Sequence, residues 1–330
     1  MKQVASAGKL AVAMMIGLSP LAAISQTDSK TENYPQRPIT FVVPYTPGGS
    51  VDTVARILTA QLQKQLGQPM VIDNKPGASG MIGSGNVARA KPDGYTLLLH
   101  ASSQIYLPLV DANAKYDALK EFTPVARIGT VPLLIVTKPD APFNTLKEMQ
   151  AYAQKNKDKL TWATSGYGTS SHLTEEMLNR DLDLGMQIIA YRGAVPQLTD
   201  VVAGHVSAAA SPMPGVYPFV SSGKLKALAV TSAQRATRLP NVPTVAESGV
   251  EGFDFSSWYA VWGPAAMPSE IVEKLAAEIR KATQAPEVQK AFEAMMFDVV
   301  KSSPADLEKV QAQEHDRIGQ LAKDANIVIR

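Results

Sequence analysis

The stretch Thr40 to Leu62, T-F-V-V-P-Y-T-P-G-G-S-V-D-T-V-A-R-I-L-T-A-Q-L, decides how the rest of the chain is read. The apolar run Ile39 to Val43 has the length and β-branched content of a buried strand. Pro44 and Pro47 stop that strand, and Gly48-Gly49 free the backbone for a turn. Ser50 then stands where a helix N-cap is expected. Val54, Ile57, Leu58 and Leu62 follow at i, i+3, i+4 and i+8, one apolar face of a helix. The first N–H groups of such a helix lack internal partners, and its dipole adds partial positive charge there. A strand, glycine loop and helix in this order make a candidate anion site, or an ordinary turn with no ligand. No Lys-Ser/Thr follows the glycines and the G-x-G-x-x-G spacing is missing, so neither a Walker loop nor a dinucleotide fingerprint is present.

The same unit recurs at Leu160 to Leu178. A strand ends at Thr164, Ser165-Gly-Tyr-Gly-Thr-Ser170 forms a second glycine- and hydroxyl-rich loop, and Leu173, Met177 and Leu178 mark one side of a helix. From the Ile39 strand onward the pattern is βαβαβ, which means a parallel sheet with right-handed crossovers. Met70 to Asp73 and Tyr95 to Leu99 are further strands, Lys75 to Gly83 is another glycine-rich loop leading into a helix through Ala90, and Pro92-Asp93-Gly94 is a tight turn. Gln104 to Thr123 reads as irregular, and Val125 to Ile128 and Leu133 to Thr137 as separate strands. A helix capped by Asn144 precedes the second unit. After it come strands at Gln187 to Tyr191, Val206 to Ala210 and Leu225 to Val230, with helices between them. Thr244 to Glu247 has the pattern of a capping box opening a short helix. Phe253 to Trp262 is a strand expected to return to the first half, and helices begin at Pro268, Pro286 and Ser303. The apolar end, Ile327 to Ile329, is expected to dock.

A chain of 330 residues, 45% of them hydrophobic and 19% charged, has the composition of a globular protein large enough for two domains. A net charge of +2 without basic runs argues against a nucleic-acid partner. The absence of cysteine excludes disulfides, thiolate nucleophiles and cysteine metal sites. Lys2 and Lys9, the apolar Leu10 to Ile24 and small residues at Ala23 and Ser25 predict a secretory signal, residues 1–25, cut after Ser25. His100, His172, His205 and His315 are dispersed, so no metal is expected, and no cofactor is implied.

If the two halves face each other, two helix N-termini converge on one cleft at the carboxyl ends of their strands. That arrangement suits a dianion such as a molecule with a carboxylate at each end. The loops offer N–H groups and the hydroxyls of Thr46, Ser50, Thr169, Ser170 and Ser171, with no Lys or Arg inside either loop.

The ordered motifs Pro44 to Asp52, Asn74 to Gly83, Pro92 to Tyr95, Gly166 to Leu173, Tyr191 to Ala194 and Pro243 to Gly249 resemble the solute-binding proteins of tripartite tricarboxylate transporters, the Bug receptor family. The likeness runs from about Tyr34 to the C-terminus. It implies an α/β, two-domain periplasmic binding protein, a type II-like Venus flytrap. Each domain would be a mainly parallel sheet flanked by helices: residues 34–132 plus 259–330, and residues 133–258. The hinge is expected near residues 130–135 and 256–262. In the periplasm a small carboxylate (a di- or tricarboxylate, an acidic amino acid or an aromatic acid) would be held between the domains and delivered to a tripartite tricarboxylate-type membrane permease. A monomer is expected from the opening and closing mechanism.

The resemblance places the ligand loops at Tyr45 to Asp52 and Gly166 to His172. The candidate contacts are Tyr45, Thr46, Pro47, Gly48, Gly49, Ser50, Asp52, Gly166, Gly168, Thr169, Ser170 and His172, with Ser79, Ser102, Tyr191 and Arg192 from neighbouring loops. The family usually carries an acid after the Gly204-His205-Val206 stretch; Ser207 here breaks that pattern and puts a polar contact at that place in question.

Asp52 is read as pinning its loop or complementing the dipole, which makes any ligand role indirect. Trp258, Tyr259 and Trp262 are read as packing where the chain crosses between domains, or as stacking on an aromatic ligand. Arg192 is a counter-charge for a carboxylate or a solvated cation. Ser170, Ser171 and His172 lack the Gly-x-Ser-x-Gly turn of a nucleophile elbow. A secreted α/β hydrolase using the same cleft is the rival reading, and a ligand-sensing subunit for a membrane kinase is a third.

Overall fold

The computed structural model of the protein describes residues 33–156 and 159–324. The expected signal segment and the docked Ile327 to Ile329 lie outside the described residues. The first half contains β1 (Ile39–Val43), α1 (Ser50–Leu66), β2 (Met70–Asn74), α2 (Met81–Ala88), β3 (Thr96–Ala101) and α3 (Ser103–Val110). The long β4 (Phe122–Thr137) leads into α4 (Leu146–Lys155), β5 (Thr161–Thr164), α5 (Ser170–Leu182) and β6 (Gln187–Ala190). Next come α6 (Ala194–Ala203), β7 (Ala208–Pro212), α7 (Met213–Ser221) and β8 (Lys226–Val230). The chain closes with β9 (Ser256–Pro264), α8 (Ser269–Gln284), α9 (Pro286–Ala294), β10 (Asp298–Val299) and α10 (Pro304–Asp324).

β1 pairs in parallel with β2 and β3, and β5 pairs in parallel with β6 and β7, so each half keeps the parallel unit its alternation predicts. The strands joining the halves run antiparallel. β9 lies between β3 and β4, and the strand order is β2-β1-β3-β9-β4-β7-β5-β6, with β8 and β10 also on β4. Phe122 to Pro132 of β4 face β9, whereas Leu133 to Thr137 face β7. The two apolar runs expected as separate strands are therefore one strand that changes partners between Pro132 and Leu133. Pro124 is tolerated inside it because the ladder shifts register between Pro124 and Ala126.

Burial follows these pairings. Ile39, Phe41 and Val43 of β1 and Leu133 to Val136 of β4 are fully buried, as continuous apolar runs in sheets covered on both faces should be. α1 buries Val54, Leu58 and Leu62 as its periodicity predicts, with Ile57 at the edge of that face. Trp258 and Trp262 are buried in one core cluster with ring centroids 5.9 Å apart and planes tilted by 40°, and neither lines the cavities described below.

Several expectations need correction. Gln104 to Val110 is helical, within α3, because its residues are apolar and buried almost all round and so show no amphipathic period. Thr145 rather than Asn144 caps α4, its hydroxyl accepting from the Glu148 N–H. At Thr244 the capping-box bonds to Glu247 form in both directions, yet the chain makes only a turn before Gly249 redirects it.

Candidate ligand site

The first glycine loop is built from its helix backwards. Gly49, not Ser50, is the N-cap of α1, so Ser50 is the first helical residue. That frees its hydroxyl to donate to the Pro212 carbonyl at 3.2 Å, across to the second half. Asp52 is 1% exposed and accepts from the Gly48 N–H at 2.9 Å, the Asn74 amide at 2.9 Å and the Arg56 guanidinium at 2.8 and 3.0 Å. Burial pushes its carboxyl up, but Arg56, Gly48 and Asn74 together hold it below the ordinary value of 3.8.

The second loop repeats the construction. Thr169 caps α5, accepting from the His172 N–H at 3.3 Å and donating to the Gly166 carbonyl at 2.7 Å. His172 is the third helical residue, as Asp52 is in α1, and its Nδ1 accepts from the Gly168 N–H at 3.2 Å. That bond leaves the proton on Nε2, which lies 3.3 Å from a Glu176 carboxylate oxygen. Asp52 thus pins its loop, as its place near the start of α1 suggested, and Nδ1 of His172, a residue placed among the candidate contacts, does the same for the second loop. The same bonds occupy both nitrogens of His172, so it cannot activate Ser170 or Ser171 as a general base activates a nucleophile.

A cavity of about 40 Å³ lies between the loops. Gly49 and Ser50 bring the start of α1 to it, Ser103 the start of α3, Thr169 and Ser170 that of α5, Ala194 that of α6, and Pro212 that of α7. Five helix N-termini therefore converge, each carrying roughly half a positive charge. No charged side chain lines this cavity among the described residues. Tyr45 forms part of the wall, its phenol bonded to the Ser103 hydroxyl at 3.0 Å and pushed up to about 12 by burial. It is neutral and able to donate.

A second cavity of about 40 Å³ shares Tyr45 and Ser165 with the first. Gly77, Ala78, Ser79 and Gly80 line it, and all four have positive φ, at 128°, 46°, 55° and 103°. For Ala78 and Ser79 this is a strained conformation of the kind that collects at binding loops. Arg192 is the one charged side chain on this wall. Tyr191 also lines it, but its hydroxyl is bonded to Asp200 at 2.7 Å.

The remaining candidates fall outside the cavity walls. Thr46 has a buried hydroxyl without a partner and abuts Gly193, where a Cβ would sit 2.8 Å from that oxygen. Pro47 and Gly48 form the crest of the first loop, Gly48 against Val195. Gly166 and Gly168 make the turns of the second. Ser102 precedes α3 with its hydroxyl 3.3 Å from Ser257 and 3.4 Å from Tyr106, and its neighbour Ser103 lines the cavity instead. Ser207 lies at the amino end of β7, roughly 16 Å of strand from Pro212; its hydroxyl accepts from the Thr161 N–H. The departure from the family pattern there does not touch the cavities.

Sequence reasoning missed Ser103, Ser165, Ala194 and Pro212, and it offered Tyr259 only for its aromatic ring. Ser103, Ala194 and Pro212 stand where a strand passes into a helix, and the rule that ligands bind at the carboxyl ends of strands would have found them.

Two halves of parallel strands, joined by antiparallel crossings, with helix N-termini collected between them, define a periplasmic binding protein fold. The sequence profile of the tripartite tricarboxylate transporter family receptors matches residues 54–327. Protein BugT of Bordetella pertussis is 34% identical over 319 residues, which cover 96% of this chain and 98% of BugT. Two solved structures from Rhodopseudomonas palustris are similar. Rpa4515 with adipate has a TM-score of 0.87 at 31% identity, covering 89% of this chain and 99% of that one. MatC with bound malate has a TM-score of 0.82 at 31% identity, covering 87% and 99%. The chain belongs to the tripartite tricarboxylate transporter receptor family.

Proposed function

We propose that this protein is a periplasmic receptor that captures a small diacid between residues 34–132 plus 259–330 and residues 133–258, and presents it to a membrane permease without chemical turnover. The observation that carries the reading is the convergence of five helix N-termini on a cavity with no acidic side chain. An anion there would meet N–H groups and dipoles that need no reorganisation on binding. One carboxylate would sit among Ser50, Ser103, Thr169 and Ser170. The second would reach past Tyr45 toward Ser79, Tyr191 and Arg192. Adipate in Rpa4515 and malate in MatC are diacids, which supports this length and charge of ligand.

The partner change in β4 at Pro132 and Leu133 supports a hinge there and in the facing part of β9. The contacts of Gly48 with Val195 and of Ser50 with Gly215 across the cleft fit a closed form. Export rests on the predicted signal in residues 1–25, and the periplasmic binding protein fold fits that compartment.

A thermal-shift screen of residues 26–330 tests the reading against diacids, monoacids and neutral analogues. Diacids at about 100 times their Kd should add about 2.7 kcal/mol of stability. The outcome that contradicts the proposal is a screen in which no acid shifts the transition, or in which the acid is consumed.

A further inference from the structure

The sequence offered Tyr259 as packing between the halves or as an aromatic face for a ligand, with no role for its hydroxyl. It is fully buried, its ring packs 5.5 Å from Phe297, and it sits in the middle of the sheet, paired with Ala101 of β3 and Gly129 of β4. Its ring would be served equally well by phenylalanine. Its hydroxyl has no hydrogen-bond partner, although the residue lines the cavity where the helix N-termini meet. The Ser50 hydroxyl is the neighbouring polar group, near enough to act on the phenol but outside hydrogen-bond geometry with it, and its own bond runs to the Pro212 carbonyl. A buried hydroxyl left unpaired costs stability that phenylalanine at the same place would not. Burial also holds the phenol above its ordinary value of 10.0, so the group keeps its proton and remains a donor.

We propose that the Tyr259 hydroxyl is a dedicated hydrogen-bond donor to the carboxylate held among the helix N-termini. The assignment rests on the carboxylate reading above and adds to it the one side-chain donor in that cavity wall that is fully buried and unpartnered among the described residues. The N-termini of α1, α3, α5, α6 and α7 supply backbone dipoles. Tyr259 supplies a directed O–H from β9, which with β4 carries the chain between the halves. A carboxylate accepting from it would therefore touch the strand expected to move on closure, so that filling the cavity and setting the hinge become one event. The hydroxyl's unpaired state without ligand is then part of the binding free energy, since the bond is satisfied only when the acid is present.

The test is Tyr259→Phe, which removes one oxygen and keeps the ring. Its thermal midpoint without ligand and its Kd for adipate and for malate are compared with the wild type. The assignment predicts opposite signs: a midpoint raised by about 1–3 °C, and a Kd weakened on the order of 10- to 100-fold. A structural role for the hydroxyl would lower stability and affinity together, and that result overturns the assignment. So does an unchanged Kd for an acid that the wild type binds. If the wild type binds neither acid, the carboxylate reading fails and this assignment falls with it; a wild type that binds while Tyr259→Phe is indifferent leaves the receptor reading intact and removes only Tyr259.

Discussion

Asp52 and His172 each stand third in a helix, and each accepts a hydrogen bond from the loop glycine four residues earlier. Two unlike side chains thus perform one task, fixing a glycine loop so that the helix N–H groups ahead of it point into the cavity. A negative charge at Asp52 would oppose an anionic ligand were it not neutralised by Arg56, which the bidentate geometry achieves. Because the folded carboxyl lies below 3.8, its contribution to stability is present above that value and is lost as pH falls through the lower folded one. Asp52→Ala should cost about 2 kcal/mol at neutral pH and flatten the acid limb below about pH 4. Thermal midpoints recorded from pH 2 to 7 check both effects, and a variant whose acid limb matches the wild type would show that Asp52 carries no such linkage. At Arg192, the one charged residue lining the second cavity, Arg192→Gln should weaken adipate by about three- to tenfold and leave a monoacid such as hexanoate unchanged. Equal losses for both acids in calorimetric titrations would remove Arg192 from recognition of the far carboxylate.

At the scale of elements, the units that a sequence displays are those with their own punctuation. β1, its glycine loop and α1 were legible because an apolar run, two prolines, two glycines and an amphipathic period follow in order. α3 was not, since its buried residues surround the helix and Pro108 lies inside it. β4 looked like two strands because Pro124 and Pro132 interrupt it; the ladder places one beside a register shift and the other at the change of partner. The candidate site divides the same way. Its two glycine loops were visible as local sequence, Ser103, Ala194 and Pro212 could be found only through the rule that ligands gather at the carboxyl ends of strands, and Tyr259 reaches the cavity through tertiary packing that no local pattern records. Caps can be tested directly. Thr169 holds both the Gly166 carbonyl and the His172 N–H, so Thr169→Ala should cost about 0.5–2 kcal/mol in thermal or urea unfolding. The same variant should weaken acid binding, because the N-terminus of α5 loses its fixed aim. Unaltered binding despite the lost stability would separate the cap from the site.

For the whole molecule, the proposed closure and ligand binding would be one equilibrium. A ligand moves it only as far as its affinity differs between the open and closed forms. Gly215 marks where α7 meets α1, since a Cβ there would stand 2.5 Å from the Ser50 hydroxyl and 3.3 Å from its backbone nitrogen. Gly215→Val should leave each half folded yet hold them apart. Small-angle scattering should then show no contraction on adding adipate, against a contraction in the wild type. A variant that contracts and binds normally would argue that this contact does not set closure.

On this reading helix N-termini, rather than cationic side chains, hold the carboxylate in the first cavity. Calorimetric titration of residues 26–330 with adipate and with its neutral diamide, which matches it in length, tests this most directly. The acid should bind with a negative heat-capacity change, and the diamide should bind at least about 100-fold more weakly. Equal affinity for the two, or no heat with any diacid of this length, would contradict it.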